Sequence, residues 1–123
     1  MSKDISFGRA RPNVLVRYGR VSLTDKALLA KQLSLELRSG LTLTDALAVA
    51  ADSSQGKLQT ILKNVLHAVE SGQSFSAALG AYPKIFSGLF INTVYVGESS
   101  GTLADNLENI AKELEKEREL ASK

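Results

Sequence analysis

The chain has 123 residues, which suits one domain with a modest core. Its hydrophobic fraction of 44% is ordinary for a globular protein, its formal net charge is only +2, and it has no cysteine, so disulfides and thiolate metal sites are excluded. The lone histidine, His67, cannot build a zinc site by itself.

Residues 1–21 read as a flexible basic arm. Lys3, Arg9, Arg11, Arg17 and Arg20 stand there against Asp4, and Gly8, Pro12 and Gly19 break any periodicity. An extended piece at Val14-Leu15-Val16 is the most order expected of it. A solvated tail is the preferred reading; contact with anionic lipid or nucleic acid is the alternative. The folded domain is expected over residues 22–123.

A first helix is expected from Thr24 to Arg38, with Ala27, Leu28, Leu33, Leu35 and Leu37 on a wide buried face. Ser22 or Thr24 can cap it, and Asp25 suits its positive end. A second helix follows from Leu43 to Ala51, opened by the pair Thr42 and Asp45. Ala46, Leu47, Ala50 and Ala51 give it a face that permits close approach. After a loop over residues 52–56, a third helix spans Lys57 to Ser71. Its apolar positions Leu58, Ile61, Leu62, Val65, Leu66 and Val69 keep helical spacing without a miss.

A short fourth helix runs from Phe75 to Ala81, and Pro83 prevents further winding. The segment Ile85–Val96 contains a run of strand-prone residues, but no other segment offers a pairing strand, so a buried fifth helix is expected. The last helix spans Leu103 to Ala121, with Leu103, Leu107, Ile110 and Leu114 in one stripe and Thr102 and Asp105 as a capping pair. Its tip, Glu115-Lys116-Glu117-Arg118-Glu119, is too polar to pack and points to a continuation or a partner. No uncharged run is longer than Ile85–Gly97, about 13 residues against the ~20 of a helical membrane span.

The corners between helices share one grammar. Ser39-Gly40, Ser71-Gly72 and Ser100-Gly101 close helices; Thr42, Ser74 and Thr102 open the next. Glycine suits the left-handed residue that ends a helix, and a hydroxyl accepts from the free amides of the following one. Five residues after each hydroxyl stands a leucine: Leu47, Leu79 and Leu107. The closing glycines at 40, 72 and 101 are spaced 32 and 29 residues apart, near enough to raise a solenoid. The unequal helix lengths favour instead an all-α, compact six-helix bundle with short Ser-Gly turns.

Catalytic chemistry finds no foothold. There is no phosphate loop, and His67 lacks an acid and a hydroxyl at triad spacing. Gly97-Glu98-Ser99-Ser100-Gly101 resembles a nucleophile elbow only superficially, since no strand precedes it. Glu98, near hydroxyls and Asp105, is a weak calcium candidate. The preferred reading is a solvent-exposed glutamate that bonds the amides of its own turn, and no cofactor is expected.

Four stretches together resemble the type II secretion F family, the GspF/PilC group of inner-membrane platform proteins. They are Val21–Leu33; Leu37–Leu47, around Gly40; Val69–Leu79, around Gly72, followed by Tyr82-Pro83 and Phe86; and Val96–Leu103. The last is similar to the family's GE-x-SG-x-L signature, which falls on Gly97, Glu98, Ser100, Gly101 and Leu103. The resemblance implies a six-helix cytoplasmic domain of a bacterial inner-membrane protein, soluble as a fragment and followed by a transmembrane segment. It also implies contacts with an assembly ATPase and other platform subunits, self-association, and no catalytic activity. The rival reading is a small nucleic-acid-binding domain using Arg9, Arg11, Arg17 and Arg20. That arm lacks aromatic interleaving beyond Phe7 and Tyr18, so no nucleic acid is expected.

Overall fold

A computed structural model describes residues 20–121. Within them lie six helices: α1 Leu23–Arg38, α2 Leu43–Ser53, α3 Gly56–Glu70, α4 Phe75–Leu79, α5 Gly88–Ser100 and α6 Leu103–Ala121. Each helix packs on its sequence neighbours, and α6 packs extensively on α1. The chain thus closes into a ring of helices, an all-α bundle around one core. The expected arm falls largely outside the described residues. At its boundary Arg20 is exposed, while Val21 packs against the core.

The shared corner grammar has a backbone counterpart. Gly40, Gly72 and Gly101 adopt φ of 104°, 108° and 73°. Just past them, the amides of Leu41, Gln73 and Thr102 reach back five residues to the carbonyls of Glu36, Ala68 and Gly97, at 3.0, 3.0 and 2.9 Å. This satisfies carbonyls that a helix end otherwise leaves open. Ser22, Thr42 and Ser74 cap α1, α2 and α4, and Ser22 forms a reciprocal capping box with Asp25. The three leucines that follow the corner hydroxyls, Leu47, Leu79 and Leu107, are all fully buried. They meet in one core with Leu33, Leu62, Val65, Phe75, Phe86 and Val94.

Several expectations need correction. Leu28 and Leu35 of α1 are 61% and 54% exposed, and Leu29, Ala30 and Ser34 are buried instead. The buried face of α1 is narrower than its leucine content suggests. The fifth helix begins later, at Gly88, because the Ser87 hydroxyl accepts from the Phe90 amide at 3.1 Å and caps it there. Ile85 and Phe86 lie before it. It also runs further, so Gly97, Glu98, Ser99 and Ser100 are helical rather than a turn. Nor is it wholly buried: Phe90, Val94 and Gly97 face the core while Leu89, Tyr95 and Val96 are exposed. The fourth helix stops at Leu79. Thr102 and Asp105 do not act as a reciprocal pair: the Thr102 hydroxyl donates to Asn106, and the Asp105 carboxylate meets Arg38.

Candidate functional site

The end of α5 and the start of α6 hold the signature residues Gly97, Glu98, Ser100, Gly101 and Leu103. Gly97 sits inside α5, where α6 crosses it. A Cβ there would lie 2.9 Å from the Cα of Leu103 and 3.2 Å from the Asn106 Cβ. Only a residue without a side chain lets the two backbones come this close. Asn106 locks the crossing by donating from Nδ2 to the Thr93 carbonyl at 3.0 Å, while its Oδ1 accepts from the Thr102 hydroxyl at 3.3 Å.

Glu98, one residue on, faces a different helix. Its Oε2 accepts the Phe75 amide at 2.6 Å and its Oε1 the Ser76 amide at 3.1 Å. The Ser74 hydroxyl accepts the Ala77 amide at 3.1 Å. The first three amides of α4 are therefore satisfied by one carboxylate and one hydroxyl. Negative charge at this end also suits the helix dipole. The expected bonding of Glu98 to its own turn is thus replaced by a bond to a helix start 22–23 residues upstream. Glu98 is half-buried rather than fully exposed, Ser99 and Ser100 are exposed, and Gly101 ends the helix in the left-handed conformation.

The other candidate residues lie apart. Gly40 and Gly72 each form the same left-handed corner elsewhere in the ring, with open space where a Cβ would stand. His67 is exposed on α3. Asp105, near Glu98 in sequence, is engaged on the other side by α1. There the Arg38 guanidinium forks, Nη2 to Asp105 and Nη1 to Glu108. These bonds raise the Arg38 pKa, chiefly through Asp105 and then Glu108, and lower that of Glu108, chiefly through Arg38. The Ser34 hydroxyl, buried in α1, donates to the Ala104 carbonyl at 2.8 Å at the same joint. This fork was not anticipated, since nothing in the local spacing of Arg38 points to acids 67 and 70 residues away.

Among the described residues no three or more His, Asp or Glu side chains converge as metal ligands do. An open groove of about 250 Å³ lies between α1 and the corner joining α2 to α3, lined in part by Asp25, Leu29, Gln32, Ser54 and Leu58. Its Asp25, Leu28, Leu29 and Gln32 belong to the family-like stretch Val21–Leu33, but it contains neither Glu98 nor Gly40, Gly72, Gly97 or Gly101. No helix of the described residues is long and apolar enough to cross a membrane.

Residues 29–123 match the family described as type II secretion system (T2SS), protein F. The chain is 45% identical over 102 residues to the type IV pilus assembly protein PilC of Thermus thermophilus, covering 82% of this chain and 25% of the relative. It is 38% identical over 104 residues to the type II secretion system protein F of Vibrio cholerae, covering 84% and 26%. It is 32% identical over 93 residues to the protein transport protein HofC homolog of Escherichia coli, covering 75% and 23%. The chain therefore spans about a quarter of the length of the curated relatives it matches.

Proposed function

Because the chain belongs to the type II secretion system protein F family, we propose that it is a non-enzymatic scaffold module of an inner-membrane platform protein. In this reading it lies on the cytoplasmic side and couples an assembly ATPase to the platform during pilus assembly or secretion. It also meets further copies of itself. The names of its relatives support a role in pilus assembly, secretion or protein transport.

The observation that carries the scaffold reading is how the signature corner is used. Gly97 admits α6, and both Glu98 oxygens accept amides of α4. These residues join three helices into one rigid unit. A rigid helical unit transmits displacement between partners, which a coupling module must do. Calcium has no part in this reading, because the Glu98 carboxylate already serves the α4 amides and a hard cation wants several carboxylates together.

The test is isothermal titration of the chain with its cognate assembly ATPase, and separately with short DNA duplexes at two salt concentrations. Saturable binding to the ATPase is expected. Absence of that binding, with micromolar duplex affinity that falls steeply with salt, would replace the scaffold with the nucleic-acid reading.

A further inference from the structure

We propose that Val14-Leu15-Val16, in the part of the chain that precedes the described residues, occupies the groove between α1 and the corner joining α2 to α3 as a tethered extended segment. This occupant comes from the chain itself, so it depends neither on an ATPase nor on a second copy.

The groove offers both of the things an extended segment needs. Leu28, on its α1 wall, is 61% exposed, and Leu29, Ala50 and Leu58 line it as well. Its volume is about 250 Å³. An apolar cavity of about 150 Å³ holds a benzene ring, so valine and leucine side chains fit a space of this size. Beside these apolar groups stand side chains that hydrogen-bond: Gln32, Ser53, Ser54 and Gln55. Gln55, at the N-cap of α3, makes no capping bond with its side chain. A backbone laid in the groove has its own amides and carbonyls to satisfy, and such groups can meet them.

Continuity of the chain selects the occupant. Arg20, the first described residue, is itself part of the lining. Val16 and Val14 come four and six residues before it. An extended chain therefore carries them up to ~13 and ~20 Å from Arg20, enough to lie along the groove. Among residues 1–19 this is the only run of three apolar residues. Its two valines are β-branched and suit extended backbone. Arg17, next to Val16, brings a positive charge to a lining that contains Asp25, with exposed Asp52 beside Ser53 at the corner. A segment tethered this closely is presented at an effective concentration on the order of 1 mM, so an intrinsic affinity of only about 0.1 mM keeps it docked about ten to one. A separate partner or a second copy would have to match that concentration from solution.

Hydrogen exchange of the full chain, read peptide by peptide by mass spectrometry, tests this. The amides of residues 14–18 should exchange about tenfold more slowly than those of an unstructured chain. Their protection should not change over about a hundredfold range of chain concentration, because the contact is intramolecular. Leu28→Lys sets a positive charge against Arg17 and should return these amides to unprotected rates. Circular dichroism should find its helix content unchanged, since Leu28 is exposed and lysine suits a helix. Leu15→Ser should release the segment too, and it decides the matter if Leu28→Lys disturbs α1, because it lies before that helix. Unprotected amides in the parent chain would overturn the proposal. So would protection that survives both substitutions, which would put the segment elsewhere, or protection that rises with concentration, which would put it on a second copy.

Discussion

The Glu98 carboxylate of α5 accepts the backbone amide of Phe75, the first residue of α4, at 2.6 Å across 23 residues of sequence. The shortest helix of the ring, five residues long, is thereby held at its start by a side chain from its neighbour. A helix so short has little stability of its own, since nucleation outweighs the few bonds it makes.

Glu98→Ala should leave the Phe75 and Ser76 amides without their acceptors. Hydrogen bonds to charged groups contribute about 1.5–3 kcal/mol each, so a loss of about 2–4 kcal/mol in urea unfolding is expected after partial rehydration. Glu98→Gln keeps one acceptor oxygen and should lose less. Equal losses in the two variants would show that the amide bonds are not what Glu98 supplies.

Gly97→Ala sets two effects against each other. Helix propensity alone predicts a gain of about 1 kcal/mol, because alanine suits a helix interior better than glycine. The added Cβ would stand 2.9 Å from backbone, the Leu103 Cα, which no side-chain rotation relieves. Overpacking of this kind costs about 1–3 kcal/mol. Net destabilisation is the expected outcome of a thermal melt, and stabilisation would mean that α5 and α6 do not cross this closely.

Gly40→Val isolates backbone strain from crowding. There is room for a side chain, but φ is 104°. A β-branched residue there should cost more than about 1 kcal/mol with no change in the core, measurable by denaturant midpoint at constant slope. In contrast, Leu62→Ala and Leu107→Ala act through cavities at fully buried sites. Each should cost about 2–5 kcal/mol.

The fork at Arg38 predicts a direction with pH. Arg38 depresses the Glu108 pKa in the folded chain. The stabilisation is therefore fully present above the unfolded glutamate value of about 4.3 and is lost as pH falls through the lower folded value. Melts recorded from about pH 6 down to about pH 3 should show Glu108→Gln losing less stability on acidification than the parent chain. An unchanged slope would mean that the fork is broken in solution.

Sequence made the ring's corners legible because their chemistry is local. Glycine, hydroxyl and buried leucine sit within seven residues of one another at Gly40-Thr42-Leu47, and two further corners repeat the theme. The α5 start was equally local, in Ser87 and Phe90, but the apolar residues Ile85 and Phe86 just before it looked like the same stripe. The exposure of Leu28 and Leu35 was hidden for a related reason: α1 is leucine-rich on several faces, so its pattern does not single out one. The roles of Glu98 and Arg38 were out of reach, because their partners lie 22 to 70 residues away and only the packing of the ring brings them together.

The central claim is that this helical unit has no chemistry of its own and works by engaging a motor. Its most direct test is steady-state ATP turnover by the cognate assembly ATPase as the purified chain is added. The account predicts a saturable change in turnover and no hydrolysis by the chain alone. Turnover that stays flat at saturating chain, or hydrolysis without the ATPase, would contradict it.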